Sequence, residues 1–308
     1  MSCQRRKPNH KFRKPDPYNC PNTVVDKSPQ PKKMHILFLT WEDDDLGMSD
    51  EVGDLKTAFK QGYACATTES WAIPSSEYAG GMLKGLLETW MVDHDDGESL
   101  LVVYYGGHGG TDDSGYLTWS AQSQGGHSLD WHSIQEDLDT IRSNLLYLFD
   151  CCCSASSISS ADTYDEVGES EGGVVEVIAA CGFDASTPGS SRSSFTNALT
   201  VALNSLSPNR KKLSIAVLTL HRHIIRTLHE ALQDAEDPPT APIFFRLAGG
   251  DDKPSITLDL AKPPTGKAHK HIPAIAIPDD DDSDAEVEML PMEISDVDDS
   301  DIEIEFSI

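Results

Sequence analysis

Apolar positions fall into short runs, and their period changes along the chain. His35 to Trp41 is an apolar run of strand length, followed by the acidic loop Glu42 to Asp45. Ser49 or Asp50 then caps a predicted helix with Val52, Leu55 and Phe59 on one face. A second helix carries Tyr78, Met82, Leu83, Leu86, Leu87, Trp90 and Met91 at helical spacing and stops at the polar turn Asp93 to Gly97. Leu100 to Tyr105 is apolar at every position, as a strand covered on both faces of a parallel sheet requires. Tyr116 to Trp119 reads as a short strand, and Asp130 caps a helix that turns Trp131, Ile134, Leu138 and Ile141 inward. Leu145 to Phe149 is another apolar strand, and strand character resumes at Val174 to Ala180 after the polar stretch Ser154 to Gly173. Ser194 to Leu206 and Ser214 to Leu232 read as amphipathic helices. Ile243 to Leu247 with Ser255 to Leu258 reads as a terminal hairpin around Gly249 and Gly250. Strands alternating with helices predict a three-layer α/β sandwich, a mostly parallel sheet with helices on both faces, as one domain over residues 34–261.

Composition marks off the flanks. Residues 1–33 are basic and rich in Pro, and residues 262–308 are rich in Pro, Asp, Glu and Ser; neither has a hydrophobic period, so both are expected to be disordered. The formal charge of -27 excludes phosphate-backbone binding as the main activity, and nucleic acid is not an expected partner. Fourteen acids and no Lys or Arg between Asp279 and Glu305 supply about half of that charge. Apolar runs are far shorter than a membrane span, and none follows the basic N-terminus as a secretory signal would. The 7 cysteines, three of them consecutive, do not resemble a disulfide framework and fit a reducing compartment. The expectation is a soluble cytoplasmic protein without a membrane partner, with nuclear import a second option for the basic N-terminus.

Two apolar strands run straight into chemically loaded loops. Leu100 to Tyr105 leads into Gly106, Gly107, His108, Gly109 and Gly110; Leu145 to Phe149 leads into Asp150, Cys151, Cys152, Cys153 and Ser154. A helical crossover between them makes the strands parallel and brings their carboxyl ends to one sheet edge. A thiol near pKa ~8.5 needs activation, and an imidazole can take its proton and return it to a leaving amine. Gly109 N–H and Cys152 N–H can form an oxyanion hole. Strand alternation points Cys151 and Cys153 to one face and Cys152 to the other. A structural zinc site is the competing reading of cysteines near a histidine, but three adjacent cysteines do not supply tetrahedral ligands easily.

Tyr-Gly-Gly-His-Gly after one strand and Asp-Cys-Cys after the next resemble the caspase superfamily, its metacaspase and fungal caspase-like branches in particular. The metacaspase motif Asp-Ser-Cys-x-Ser-Gly lays onto Asp150, Cys151, Cys152, Cys153, Ser154 and Ala155. The resemblance spans roughly Ile36 to Leu258 and implies a caspase-like fold. It also implies a cysteine-type endopeptidase acting on protein or peptide substrates, with His108 and Cys152 catalytic and residues 154–173 as a flexible linker of the kind cleaved on maturation. Asp at position 150 implies cleavage after Arg or Lys, with Asp43, Asp45 and Ser193 joining Asp150 around the substrate. Arg192 and the absence of Lys or Arg between Arg142 and Arg192 point instead to Asp specificity or to a single-chain enzyme. No cofactor is required; calcium is an activator in many relatives, and the linker acids are its candidate ligands. Ala155 in place of Gly and the flanking cysteines leave a second reading, a catalytically weak interaction module in a signalling assembly. His221, His223 and His229 read as surface or packing residues.

Overall fold

A computed structural model describes residues 33–261 apart from 136–137, 139–140, 164–171, 184, 186–192, 208–213, 232–239 and 251–252. Side chains alternate along its central strands, and each face of the sheet finds its own cover. In β1 (Met34–Trp41), Met34, Ile36 and Phe38 enter one buried cluster while Leu37, Leu39 and Trp41 enter another. The same split divides β3 (Leu100–Gly106) and β7 (Asn144–Asp150), with Val102, Tyr104, Leu146 and Leu148 on the first face and Val103, Tyr105, Tyr147 and Phe149 on the second. Period-2 patterning with apolar residues on both phases gives a strand no solvent face, and all seven residues of β3 are buried.

The first face is covered by α1 (Ser49–Gly62), α4 (Phe195–Leu206) and α5 (Val217–Ala231), through Val52, Leu55, Phe59, Leu199, Leu203 and Ile224. The second is covered by α2 (Ala79–His94) and α3 (Trp131–Gln135), through Leu83, Leu87, Trp131 and Ile134. With β2 (Ala66–Ile73), β8 (Val175–Ala179) and β10 (Ile243–Ala248), the described residues form a six-stranded sheet in the order β10-β8-β7-β3-β1-β2. Every pair is parallel except β10 against β8. This is the three-layer sandwich the sequence predicts.

Beyond β3 a small antiparallel ribbon forms from β4 (His108–Thr111), β5 (Leu117–Ser120) and β6 (Ser128–Asp130). Its Trp119 is wholly buried, stacked on Tyr105 at 3.8 Å and on Trp131 at 4.2 Å. These stacks fasten the ribbon to the second face of the sheet.

The structure corrects several expectations. β2 was not foreseen; as an edge strand it is only partly covered, so its polar Thr67, Thr68, Glu69 and Ser70 hide the strand pattern. Helix α1 is not capped by Ser49 or Asp50: the Asp44 carboxylate accepts the Leu46 and Met48 N–H groups at 3.2 and 2.9 Å. On α2, Tyr78 and Met82 are exposed, because the helix buries only the Leu83, Leu87, Trp90 and Met91 side. The expected helix from Ser214 begins as strand β9 (Ser214–Ala216). No terminal hairpin forms. β10 pairs with β8, and β11 (Thr257–Asp259) pairs with β9. The fully buried Glu176 of β8 explains the detour: its carboxylate accepts hydrogen bonds from Arg246 (2.9 Å), Ser255 (3.0 Å) and the Ile256 N–H (3.1 Å). Satisfying a buried charge outweighs local hairpin closure.

Candidate functional site

Strand order locates the crevice before any side chain is considered. From β1 the chain turns onto the first face, into α1, and from β3 it turns onto the second, into the ribbon and α3. Loops that leave adjacent parallel strands toward opposite faces open a groove at the carboxyl edge, the topological switch point of open α/β sheets. Asp45 follows β1, His108 follows β3 and Cys152 follows β7. The order β7-β3-β1 therefore sets His108 between the other two along that edge.

Backbone contacts tie the histidine loop to the cysteine loop. Gly106 is in register with Asp150, and the Gly107 N–H donates to the Asp150 carbonyl at 3.2 Å. A Cβ on Gly109 would lie 2.4 Å from the Cys152 carbonyl oxygen and 2.9 Å from the Cys151 Cβ and Sγ, so only glycine permits this approach. His108 thus sits between two residues that each touch the 150–152 segment. Its own carbonyl accepts the Tyr105 hydroxyl at 2.7 Å, and that hydroxyl accepts the Trp41 indole N–H at 3.0 Å. What reads in sequence as a flexible glycine turn is a strand start held by two buried aromatic rings.

The three cysteines have different surroundings. Cys151 is buried in the second-face core, and burial pushes its thiol well above the ordinary range. Cys152 and Cys153 are partly exposed, and no disulfide joins the described cysteines. The strand ends at Asp150, before all three cysteines, so the expected alternation does not order them; burial separates Cys151 from the other two, and Cys153 turns at φ 55°. The segment after it also differs from expectation. Ser154 to Thr163 is a 3₁₀ helix, and Ser154, Ala155, Ser156 and Ser157 are buried, so the linker cannot begin at residue 154.

His108 Nε2 lies 2.5 Å from Asp45 Oδ1. The imidazole bond holds the Asp45 carboxyl below the ordinary carboxylate range, with the backbone N–H of Ser123 also contributing. A carboxylate can only accept, so Nε2 carries the proton and the Nδ1 lone pair remains as the ring's base. Asp45, expected in the substrate pocket, is placed on the histidine; Asp43 is exposed in the same loop.

Asp150 is 4% exposed, and its Oδ2 accepts the Thr196 N–H at 3.0 Å and the Thr196 hydroxyl at 2.5 Å. Ser194 caps α4 by accepting the Asn197 N–H at 3.0 Å and donates to Glu51 at 2.6 Å. Thr196 and Glu51 were not foreseen as site residues, although the Ser194 cap itself is legible in sequence. Ser193 precedes that cap, and Arg192 lies outside the described residues. An open pocket role for Asp150 meets a carboxylate already engaged within the fold.

Burial raises the Asp150 carboxyl to about 6. A carboxyl whose folded value exceeds its unfolded one binds its proton more tightly when folded. Its stabilising contribution is complete below about pH 4 and is lost as pH rises through about 6. At ~1.4 kcal/mol per unit this amounts to roughly 3 kcal/mol. Relative to wild type, Asp150→Asn is expected to gain on the order of 3 kcal/mol between about pH 4 and about pH 7 in urea unfolding. A difference between the two proteins that stays flat with pH would contradict this.

Among the described residues no group of three or more His, Cys, Asp or Glu side chains is arranged to hold a metal ion. The linker acids proposed for calcium fall largely outside those residues. His221 hydrogen-bonds the Pro242 carbonyl at 2.8 Å, a packing contact. No described helix is long and apolar enough to cross a membrane.

No family model matches the chain, and no curated protein does. Among solved structures, caspase-1 from Spodoptera frugiperda is similar at 14% identity and TM-score 0.47, covering 72% of this chain and 91% of that one. A structure of pro-sf-caspase-1 is similar at 12% identity and TM-score 0.38, covering 77% of this chain and 94% of that one. Chaetomium thermophilum Raptor is similar at 12% identity and TM-score 0.38, over 56% of this chain and 17% of that one.

Proposed function

We propose that this protein is a cysteine endopeptidase in which Cys152 is the nucleophile and His108 the general base, with cleavage after Arg or Lys. The observation that carries the reading is the seating of His108 on the carboxyl edge, between residues packed on the 150–152 segment and with Nε2 occupied by a carboxylate. His108 Nδ1 takes the Cys152 proton, and the thiolate attacks the scissile carbonyl carbon. The resulting oxyanion is met by the N–H groups of Gly109 and Cys152. As the tetrahedral intermediate collapses, the C–N bond breaks and the imidazolium protonates the departing amine. Water then attacks the thioester, giving up a proton to His108, and the carboxylate product leaves as the thiol is restored.

Basic specificity draws on the acids gathered near the crevice. Glu51 raises the Asp150 carboxyl electrostatically, so the two carboxylates lie close enough to repel. A guanidinium or ammonium brought to them relieves that repulsion, whereas an aspartate side chain adds to it. Both carboxylates also serve the fold, Asp150 accepting from Thr196 and Glu51 from Ser194. Residues 1–33 and 262–308 are proposed as appendages outside the peptidase domain.

A peptidyl chloromethyl ketone ending in Arg, followed by mass-spectrometric mapping, tests the assignment. Cys152 is expected to be modified at least tenfold faster than Cys153, and faster by the Arg reagent than by its Asp counterpart. Absence of labelling at Cys152 across pH and calcium concentrations would defeat the enzyme reading in favour of an interaction module. Preference for the Asp reagent would overturn only the specificity.

A further inference from the structure

We propose that Asp45 is a positioning residue that fixes the tautomer and orientation of His108, making the site a Cys152, His108 and Asp45 set instead of a dyad beside a substrate-binding acid. The inference rests on the peptidase reading only in assigning the outcome to peptide hydrolysis; the effect on the thiol itself stands apart from it. Two observations carry it. Asp45 Oδ1 is 2.5 Å from His108 Nε2, and the His108 side chain is only 16% exposed.

The chain order explains why only this acid of the run can act so. Asp44 spends both oxygens on the N–H groups of Leu46 and Met48, which turns the chain into α1 and leaves the next side chain facing the neighbouring strand end. The order β7-β3-β1 then puts the carboxylate and the thiol on opposite sides of the histidine strand. With Nε2–H committed to Asp45, only Nδ1 can exchange a proton with Cys152. When that transfer occurs, the imidazolium gains a second N–H beside a carboxylate already in place, which favours the thiolate and imidazolium pair over the neutral one. A pocket acid would behave differently, since its removal would weaken the binding of a basic side chain without altering the thiol.

Asp45→Asn and Asp45→Glu separate these roles in the full-length protein. The first readout is the rate of iodoacetamide alkylation at Cys152, mapped by mass spectrometry with no substrate present. The second is kcat and KM on an Arg peptide. We expect Asp45→Asn to slow alkylation about tenfold or more and to lower kcat with KM within about twofold, and Asp45→Glu to recover part of both losses. Unchanged alkylation with a raised KM would overturn the proposal and return Asp45 to the substrate pocket. Wild-type protein that cleaves no peptide, yet whose Cys152 alkylation depends on Asp45, would defeat the peptidase reading and sustain this one. Peptide cleavage with both readouts untouched by Asp45→Asn would do the reverse.

Discussion

Cys152→Ala is expected to lower peptide hydrolysis by at least about a thousandfold, leaving a folded protein, while Cys151→Ala and Cys153→Ala retain most of it. The contrast follows from where each thiol sits. Cys151 is fully buried, and its raised thiol stays protonated at neutral pH, so its loss removes core contacts instead of a nucleophile. A destabilisation of about 1 kcal/mol from the lost sulfur is expected there, visible in urea unfolding and absent from the rate per folded molecule. Cys153 has turned away from the strand at φ 55° and its N–H is committed to the Ala185 carbonyl at 3.0 Å. Steady-state rates on one Arg peptide, normalised by folded fraction, measure all three. Equal losses would mean that the triplet acts as a unit and that Cys152 holds no separate role.

Gly109→Ala is expected to cost about a hundredfold in activity together with about 1–3 kcal/mol in stability. The new methyl would meet the Cys152 carbonyl oxygen at 2.4 Å, a backbone atom that cannot swing aside, and the Cys151 side chain at 2.9 Å. Either β4 lifts away from the cysteine loop or the loop yields; both change the spacing of imidazole and thiol. Gly110→Ala supplies the control on the same strand, because its Cβ would find only the Thr118 hydroxyl at 3.6 Å, an ordinary contact. Unfolding and kinetic measurements on the pair should separate by more than tenfold in rate. Equal, mild effects would contradict the packing of the histidine loop on the cysteine loop.

The central strands were legible because burial on both faces writes continuous apolar runs: Leu100 to Tyr105 and Leu145 to Phe149 stand out at every position. So were the two loops that follow them, a histidine among glycines and three consecutive cysteines directly after those strands. The edge strand β2 was not, because one uncovered side lets Thr, Glu and Ser replace the apolar pattern, although its Thr67, Thr68, Trp71 and Ile73 are strand formers. The partner of β11 depends on Glu176, a charge whose burial no local window discloses. In the acidic run, sequence reasoning put Asp43 and Asp45 in a substrate pocket; in the structure Asp44 turns the chain ahead of α1 and Asp45 meets the histidine, which requires β1 and β3 to be adjacent. Asp150 shows the same limit. Its place two residues before Cys152 is written in the chain, whereas its hydrogen bonds to Thr196 come from a helix 46 positions away.

The pairing of β7 with β8 has a consequence for the covalent continuity of the chain. The two strands flank residues 164–171 in sequence yet run side by side from Leu145 opposite Val175 to Phe149 opposite Ala179. From beyond that segment, Thr196 grips Asp150, and Ala180 N–H donates to the Phe149 carbonyl at 2.9 Å. A nick between residues 164 and 171 would therefore yield two polypeptides but a single particle. Asp45, His108 and Cys152 would share one fragment, and the helix whose Thr196 holds Asp150 would belong to the other, joined to it through the strand pairing.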